Sequence, residues 1–280
     1  MARTKNRKAR KAVADNPKEM IDSLDVREAA AENPNTSAEA LNKLATDKKM
    51  DVRWGVAGNP STPTEALGRL AMDKRWHVRL AVARNPNASA KTLNRLATEK
   101  GWQIRQSVAG NPNAPAKALY GLAGDEYIHV RQSVAGNPNT PTELLAKLAT
   151  DDNWLVRHAV AGNPNTQGDV LNRLAMDKDL GIRGAVAGNP NAPADALNRL
   201  ATEKGWQIRR NVAGNPNATA KALMLLATDN DSNIREAVAR NPKITPEAIT
   251  NLLFSEESDI RQALSENPAV PEHIRVGLIL

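Results

Sequence analysis

The pair Asn-Pro recurs every 26 residues along this chain of 280, from residues 33–34 to residues 267–268. An arginine preceded by Val or Ile keeps the same step from Arg27 to Arg261. Loops that tolerated insertions would have broken this rhythm. A strict period of this length is typical of stacked structural repeats, in which no single copy has enough apolar surface to fold alone.

Two short helices are predicted in each repeat. In the copy at residues 50–75, Val52 and Val56 recur on one helical face, and a second apolar face follows between positions 66 and 71. The Gly-Asn-Pro between them is expected to stop the first helix, with Gly58 in a left-handed conformation and the Asn extended because Pro follows it. Each repeat is therefore predicted to be two helices joined by an Asn-Pro turn.

The second helix is predicted to begin with a capping box in the copies that read Thr-x-x-Glu. In such a box the two side chains bond free amides at the helix start. The pairs are Thr36 with Glu39, Thr62 with Glu65, and Thr140 with Glu143. Pro63 and Pro141 would fit the first helical position.

The residue composition excludes several kinds of site. The chain has no Cys, which removes disulfides, thiolate catalysis, iron–sulfur clusters and Cys-based zinc sites. No apolar run is long enough to cross a membrane, and the basic start lacks the hydrophobic run of a secretory signal. We expect a soluble, cytoplasmic protein with no membrane partner.

The net charge of +7 is concentrated at the N-terminus. The cations there are Arg3, Lys5, Arg7, Lys8, Arg10 and Lys11. Two interpretations stay open for this basic tail: an electrostatic anchor for an anionic partner, or a disordered, solubilising terminus.

The predicted domain organisation follows from the tail and the period. We expect the basic tail at 1–11 and a single repeat domain at 12–280. Within that domain, residues 12–24 form a truncated unit, and residues 241–280 form diverged capping units, as stacked repeats require at their ends.

The repeated residues resemble a known family. The stretch "VRQSVAGNPNTPTELLAKLATD" at 130–151 is similar to the leucine-rich repeat variant family, and the resemblance covers about residues 24–280. It implies alternating α- and 3₁₀-helices, no strands, and a right-handed superhelix with the α-helices on the inner layer. We therefore predict an all-α solenoid of about ten 26-residue repeats, each with an α-helix and a short α- or 3₁₀-helix.

The resemblance supplies neither a cofactor nor an activity. A founding member of the family looks to carry a Cys-ligated iron–sulfur module before its repeats, and this chain has no Cys to hold one. The family has no common catalytic activity, and the repeat here is slightly longer than its usual one. No cofactor is predicted.

The repeated arginine is interpreted as a structural device, although a ladder of arginines also suggests a binding surface. Each guanidinium is expected to bridge successive repeats, donating to carbonyls near the Asn-Pro turn or to the acid six residues upstream. The repeated Asn is interpreted as turn chemistry.

Four tryptophans share one position of the repeat: Trp76, Trp102, Trp154 and Trp206. Stacked indoles could hold nucleobases or a peptide. That position is apolar in eight of ten repeats, so packing in the core or between repeats is favoured. Trp54 lies in a different, mostly polar position, which suits an exposed side chain.

A row of cations on the solvent side of the second helices is the best candidate for recognition, and we name it the basic stripe. It consists of Lys43, Arg69, Arg95, Lys147, Arg173 and Arg199, with Asn42, Asn94, Asn172 and Asn198 beside them. If it lines the inner surface, it could follow a phosphate backbone or an acidic peptide. The alternative is that each cation pairs with the acid four residues later, as Arg69 would with Asp73.

Catalysis is the least expected function. His77, His129, His158 and His273 lack metal-ligand spacing, and neither a nucleophile with its base nor a glycine-rich phosphate loop stands outside the repeats. No metal site and no small-molecule substrate are predicted. We predict a non-catalytic binding or scaffold protein that presents a curved surface to a protein or peptide. The alternative is a nucleic-acid-binding protein that uses the basic tail and the basic stripe.

One segment occurs twice without change. The residues "LNRLATEKGWQIR" stand at 93–105 and again at 197–209, four repeats later. We infer that a block of four repeats was duplicated.

Overall fold

The computed structural model describes residues 23–278. The chain divides into two compact units, the first ending at Thr140 and the second beginning at Pro141. The basic tail and residues 12–22 of the predicted truncated unit lie outside the described residues. A single domain over residues 12–280 stays a prediction.

Every secondary-structure element between residues 23 and 278 is an α-helix. In the first unit these are α1 (Leu24–Glu32), α2 (Ala38–Leu44), α3 (Met50–Gly58), α4 (Thr64–Leu70), α5 (Trp76–Arg84), α6 (Ala90–Leu96), α7 (Trp102–Ala109), α8 (Ala116–Leu122) and α9 (Ile128–Gly136). In the second unit they are α10 (Thr142–Leu148), α11 (Trp154–Gly162), α12 (Gly168–Leu174), α13 (Leu180–Gly188), α14 (Ala194–Leu200), α15 (Trp206–Gly214), α16 (Ala220–Leu226), α17 (Ser232–Arg240), α18 (Pro246–Leu252), α19 (Ser258–Glu266) and α20 (Glu272–Gly277). The prediction of an all-α repeat protein is confirmed.

Proline ends the odd-numbered helices by a local rule. In α3 the last helical residue is Gly58, and Asn59 is extended, with φ −73° and ψ 124°. The residue before a proline is pushed out of the helical region, so the chain leaves the helix at once. The prediction of a left-handed glycine was wrong, because no glycine among the described residues has a positive φ.

The predicted capping boxes are also wrong. Thr62 is buried, and its hydroxyl donates to the carbonyl of Val56 at 2.5 Å. Helix α4 begins at Thr64 after Pro63, with no side-chain cap. The Asn-Pro turn brings the threonine next to a free carbonyl of the preceding helix, so its hydroxyl completes the end of that helix rather than the start of the next one.

The even-numbered helices are α-helical, where the resemblance implied 3₁₀-helices for one of the two positions. Helix α2 closes with the bond from the Ala45 amide to the Leu41 carbonyl, at 2.9 Å. Shorter-range bonds begin only in the turn after it, where the Thr46 amide donates to the Lys43 carbonyl at 3.2 Å. Bonds of the same short range recur at the Asn-Pro turn, where the Thr62 amide donates to the Asn59 carbonyl at 3.1 Å, so the tight geometry belongs to the turns.

Aliphatic side chains form the interior of each unit. In the second repeat, Val52, Val56, Leu67 and Leu70 are buried, and their counterparts recur along both units. Burying one such side chain stabilises a fold by about 1.5–3 kcal/mol. A Cβ added at Gly55 would lie 3.0 Å from the Cβ of Ala31, so α1 and α3 approach closely at this point.

Between residues 23 and 278, no helix has both the length and the apolar character of a membrane span.

Candidate binding face

A ladder of hydrogen bonds from the repeated asparagines joins successive repeats within each unit. Asn85 is 2% exposed, and its Nδ2 donates to the carbonyls of Ala57 at 2.8 Å and Asn59 at 2.9 Å, both in the preceding repeat. Its Oδ1 accepts from the amide of Asn87 at 2.8 Å. Equivalent bonds are made by Asn59, Asn111, Asn137, Asn189, Asn215, Asn241 and Asn267. The predicted turn chemistry is confirmed, and the ladder is an additional role.

The repeated arginines bridge neighbouring repeats, as predicted, but with a different carboxylate. The Nε of Arg53 donates to Asp73 at 2.5 Å, and its Nη1 donates to the backbone carbonyl of Asp47 at 2.8 Å. The acid six residues upstream thus offers its carbonyl, and the acid 20 residues downstream offers its carboxylate. Equivalent ion pairs are Arg27–Asp47, Arg79–Glu99, Arg105–Asp125, Arg157–Asp177, Arg183–Glu203 and Arg209–Asp229.

These ion pairs lower the pKa of the acids. The hydrogen bond from Arg157 lowers the pKa of Asp177, and it outweighs burial, which acts the other way. At Asp73 burial is the largest single influence and raises the pKa, but the hydrogen bonds from Arg53 and from the Arg75 amide bring it below its ordinary value. Both acids are therefore charged near neutral pH and held by the repeat interface.

The ion pairs change the interpretation of the basic stripe. Asp73 lies four residues after Arg69 but is bound to Arg53, and Arg69 instead donates from Nη2 to Oδ1 of Asn42 at 2.9 Å. The predicted pairing with the following acid is therefore wrong at Arg69. At four other positions of the stripe, the acid four residues after the cation is also bound by a repeated arginine. These cations are Lys43, Arg95, Arg173 and Arg199.

The stripe cations are exposed on the even-numbered helices, and their asparagine neighbours are half-buried. Asn42 reaches Arg69 of the next repeat, and Asn198 accepts from the hydroxyl of Thr219. The buried Oδ1 of Asn94 has no hydrogen-bond partner among the described residues. Two of the stripe's four amides thus make inter-repeat contacts, and all six of its cations are exposed. The six cations of the basic tail lie outside the described residues.

A second surface lies on the odd-numbered helices, and we name it the variable face. It consists of the second, fifth and ninth positions of each odd-numbered helix and its equivalent in the shorter α7. In the first unit these are Asp25, Glu28, Glu32, Asp51, Trp54, Gly58, His77, Leu80, Arg84, Gln103, Gln106, Gly110, His129, Gln132 and Gly136. In the second unit they are Leu155, His158, Gly162, Gly181, Gly184, Gly188, Gln207, Arg210, Gly214, Asn233, Glu236, Arg240, Asp259, Gln262 and Glu266. None of them is buried, and they share one side of the helix because three- and four-residue steps return to the same face.

Most of the variable face was missed from the sequence, although Trp54 was correctly expected to be exposed and is 48% exposed. A signal was available. Within a repeat that otherwise changes little, the fifth position passes through Glu28, Trp54, Leu80 and Gln106 in successive copies. Free variation beside constant neighbours is typical of positions that the fold does not constrain.

The prediction that the shared tryptophans fill the core or the repeat interface was wrong for three of the four. Trp76, Trp154 and Trp206 are 44–47% exposed, and Trp102 is half-buried. The first residue of an odd-numbered helix lies at the edge of the packed region, where one side of a large ring stays in solvent. An apolar position is therefore not always an interior one.

Aromatic contacts occur beside the variable face. The rings of Trp76 and His77 stack at 3.8 Å between centroids, and Trp102 lies 5.8 Å from Tyr127 and 5.9 Å from His129. Such pairs contribute about 0.5–1.5 kcal/mol beyond the area that they bury.

A groove of about 360 Å³ opens on the variable face of the first unit. It is lined by Trp54, Leu80 and Ala81, by the charged Glu32 and Arg84, and by the backbone of two Asn-Pro turns. An apolar concave surface with a few charged groups at its border is the usual form of a recognition site.

Helix α1, which contributes Glu32 to this groove, carries two further acids, Asp25 and Glu28. Burial raises the pKa of Glu28, and the negative charges of Asp51, Asp25 and Glu32 raise it further. Three negative charges therefore act on the carboxylate of Glu28, which favours a cation as its neighbour.

No group of three or more His, Asp or Glu side chains capable of holding a metal ion occurs among residues 23–278.

The comparisons with known proteins agree with this architecture. Residues 129–188 match the leucine-rich repeat variant domain, and residues 24–48 match the leucine-rich repeat variant. No curated protein matches the chain.

Among solved structures, a leucine-rich repeat variant with a repetitive structural motif is similar in fold. It is 23% identical with a TM-score of 0.55, over 79% of this chain and 88% of that one. An engineered protein is 19% identical with a TM-score of 0.40, over 93% and 97% of the two chains. A designed armadillo repeat protein for modular peptide recognition is 14% identical, over 92% of each chain, but its TM-score of 0.14 carries no argument about this chain.

The family matches agree with residues that recur through ten copies of one repeat, and the similar structure shares the fold. Two segments of the chain, residues 24–48 and 129–188, are thus similar to leucine-rich repeat variants.

Proposed function

We propose that the chain is a non-catalytic repeat protein that binds a protein or peptide on the variable face. The observation that carries the proposal is the division of labour within each odd-numbered helix. The buried side is occupied by the constant Val, Ala and Arg residues and ends at the Asn ladder, whereas the variable face is accessible in every described repeat. Repeat scaffolds can vary such a surface without cost to the stack.

Large side chains on the variable face support a macromolecular ligand. Trp54 is half-exposed, and both Trp54 and Leu80 line the groove. An exposed indole lacks the stabilisation that burial would bring, so a ligand that covers Trp54 would gain it. Tryptophan in a partly enclosed apolar pocket is a frequent anchor in protein interfaces. The groove is lined by residues of three successive odd-numbered helices, α1, α3 and α5, which suits an extended or helical peptide better than a small molecule.

Selection from a random peptide library displayed on phage tests this proposal. Peptides that bind the full chain should share a consensus, and they should lose affinity for the double variant Trp54→Ala, Leu80→Ala. Met72→Ala is the matched control, because Met72 is an exposed apolar side chain outside the variable face. The proposal fails if no consensus emerges, or if the selected peptides bind the double variant as well as the parent.

A specific observation keeps nucleic-acid binding as a second candidate. The acids that follow five of the stripe cations are bound to the repeated arginines, so they do not neutralise the stripe. Acids one turn earlier, such as Glu65 before Arg69, partly offset these charges. A row of exposed cations spaced by the repeat could follow a phosphate backbone.

Gel-shift titration against mixed DNA and RNA tests this second function. We expect affinity to fall steeply with salt, and to fall again when Arg69 and Arg95 are changed to Gln. Changing Lys91 and Lys117 to Gln removes two other exposed cations of the even-numbered helices and is the matched control. No binding at low salt would exclude the function.

A further inference from the structure

We infer that the groove of the first unit is a docking site for the basic tail of the same chain, residues 1–11. The inference goes beyond the proposed function and does not depend on it, because the tail is a ligand already present.

The chemistry of the groove fits an arginine or lysine side chain. The aliphatic part of such a side chain packs on apolar surface while its charged end stays at the border. A cation over the face of an indole is attracted by the ring, and tryptophan is the best partner for this contact. Trp54 and Leu80 supply the apolar surface, and Glu32 supplies a carboxylate within the same groove.

The charges are complementary. The tail carries six cations within eleven residues. Asp25, Asp51 and Glu32 lie close enough to Glu28 for their negative charges to raise its pKa, after the larger effect of burial. Cations in this position would relieve that repulsion.

The reach of the chain is sufficient. The described residues begin at Ser23, immediately before α1, and twelve residue steps separate Ser23 from Lys11. Extended chain covers about 3.3 Å per residue, so this connection spans up to about 40 Å. Helix α1 has nine residues and is about 13 Å long, which leaves the whole groove border within reach.

The other end of the repeat array provides an internal comparison. Glu236 and Asp259 occupy the same repeat positions as Glu28 and Asp51. There, however, Arg240 pairs with Glu236 at 2.7 Å, and Gln262 stands where Trp54 stands in the groove. Acidic residues occur at both ends of the part of the chain that the structure describes, and within that part the first end combines an exposed indole with acids for which no ion pair is formed.

Carbodiimide cross-linking of the full chain tests the inference, because this reagent joins a lysine amine to a carboxylate that it touches. We expect products that join Lys5, Lys8 or Lys11 to Glu28, Glu32 or Asp51, identified by mass spectrometry. Their yield should not depend on protein concentration, since tail and groove belong to one chain. Products with Glu236 or Asp259 should be at background.

Gly58→Arg is the blocking variant. No atom lies within 4 Å of a Cβ added at Gly58, and Arg84 and Arg240 occupy the same repeat position elsewhere, so the fold accepts the change. The new side chain would occupy the groove and bring a positive charge to the acids, and the cross-links should fall to background. Gly136→Arg is the matched control, because its Cβ position is equally open, and it should leave the yield unchanged.

Three results would overturn the inference: equal yields at both acidic ends, cross-links that survive Gly58→Arg, or products that form only between two chains as concentration rises. The last would assign the groove to the tail of a second copy. Peptide selection reports on an added ligand and cross-linking reports on the tail, so failure of the proposed function and failure of this inference are distinguishable.

Discussion

Residues 93–105 and 197–209 have identical sequences, and they form the same contacts with the repeat framework. The Nε of Arg105 donates to Asp125 at 2.5 Å, and the Nε of Arg209 donates to Asp229 at 2.6 Å. Their Nη1 atoms donate to the carbonyls of Glu99 and Glu203, at 2.8 and 2.7 Å. The framework is therefore reproduced wherever its residues recur.

The surfaces of the two segments differ. Trp102 is half-buried against Tyr127 and His129, and the guanidinium of Arg105 lies 5.6 Å from the Tyr127 ring. At the corresponding positions beside Trp206 the chain has Asp231 and Asn233, and Trp206 is 46% exposed. An indole in an unchanged segment is thus covered or uncovered by the next repeat, so the surface of one repeat is determined by its neighbour.

The largest expected effect is the same in both copies. Leu93 and Leu197 are fully buried, and truncation of either to Ala should lower the free energy of unfolding by about 2–5 kcal/mol, through lost burial and the cavity left behind. Urea unfolding followed by circular dichroism measures the change. A clear difference between the two variants would contradict the view that the framework is equivalent in both segments.

The asparagine ladder should give the next largest effect. Asn111→Ala leaves the carbonyl of Ala83 without its side-chain donor, and Asn215→Ala does the same to the carbonyl of Ala187, at a cost of about 1–3 kcal/mol. The second acceptors, the carbonyls of Asn85 and Asn189, keep the amides of Ala88 and Ala192. Thermal unfolding of each variant measures the loss. Asn113→Ala and Asn217→Ala are the controls, because these neighbouring asparagines are exposed and should cost much less. Equal losses for ladder and control would show that the buried ladder stabilises the fold no more than the exposed bonds that Asn113 and Asn217 make to Pro86 and Pro190.

The arginine bridges should show a smaller loss that depends on pH. In Arg105→Met and Arg209→Met the partly buried carboxylates of Asp125 and Asp229 lose their partner, and we expect a cost of about 1–3 kcal/mol at neutral pH. Arg105→Met should cost slightly more, because Arg105 also contacts Tyr127.

The sign of the pH effect follows from the lowered pKa of the two acids. Burial raises the pKa of Asp125, but the hydrogen bond from Arg105 and other contacts bring it below its ordinary value, and Asp229 behaves alike with Arg209. Their contribution to stability is present above the unfolded pKa of about 3.9, and it is lost as pH falls through the folded value. Urea midpoints between pH 7 and pH 2 should therefore fall less in the methionine variants. An unchanged pH profile would contradict the role of these pairs.

The smallest effect concerns the surface. Tyr127→Asp gives Trp102 the neighbour that Trp206 has, and should cost about 0.5–1.5 kcal/mol through the lost aromatic contact. Fluorine NMR of the chain labelled with 5-fluorotryptophan should show a larger solvent isotope shift for Trp102, with Trp206 unchanged as the control. If Trp102 stays shielded, its own segment rather than the next repeat determines its exposure.

Local rules in the sequence predicted the helices and their ends. Asn59 before Pro60 ends α3 because proline restricts the residue before it, and this restriction acts within one peptide unit. The spacing of Val52 and Val56 predicts the buried side for the same local reason. Thr62 was assigned to the wrong helix because its hydroxyl can bond either an amide of the following helix or a carbonyl of the preceding one. Only the folded turn selects the Val56 carbonyl.

The candidate site was less predictable because one side chain often has several possible partners, some near it in the sequence and some far from it. Asp73 lies four residues from Arg69 and 20 residues from Arg53. The sequence favours a pair with the nearer Arg69, but the packing of the repeats places Asp73 against Arg53. The groove combines Glu32, Trp54 and Leu80 from three successive repeats, so no single repeat contains it.

What the sequence alone determined is the repeat, its two helices and the identity of the residues that recur, since these depend on short-range restrictions that every copy obeys. The tertiary structure decided which carboxylate each arginine binds, which carbonyls receive the asparagine ladder, and which tryptophans meet solvent. Those outcomes depend on distances across neighbouring repeats, where several partners of similar chemistry are available and only packing selects one.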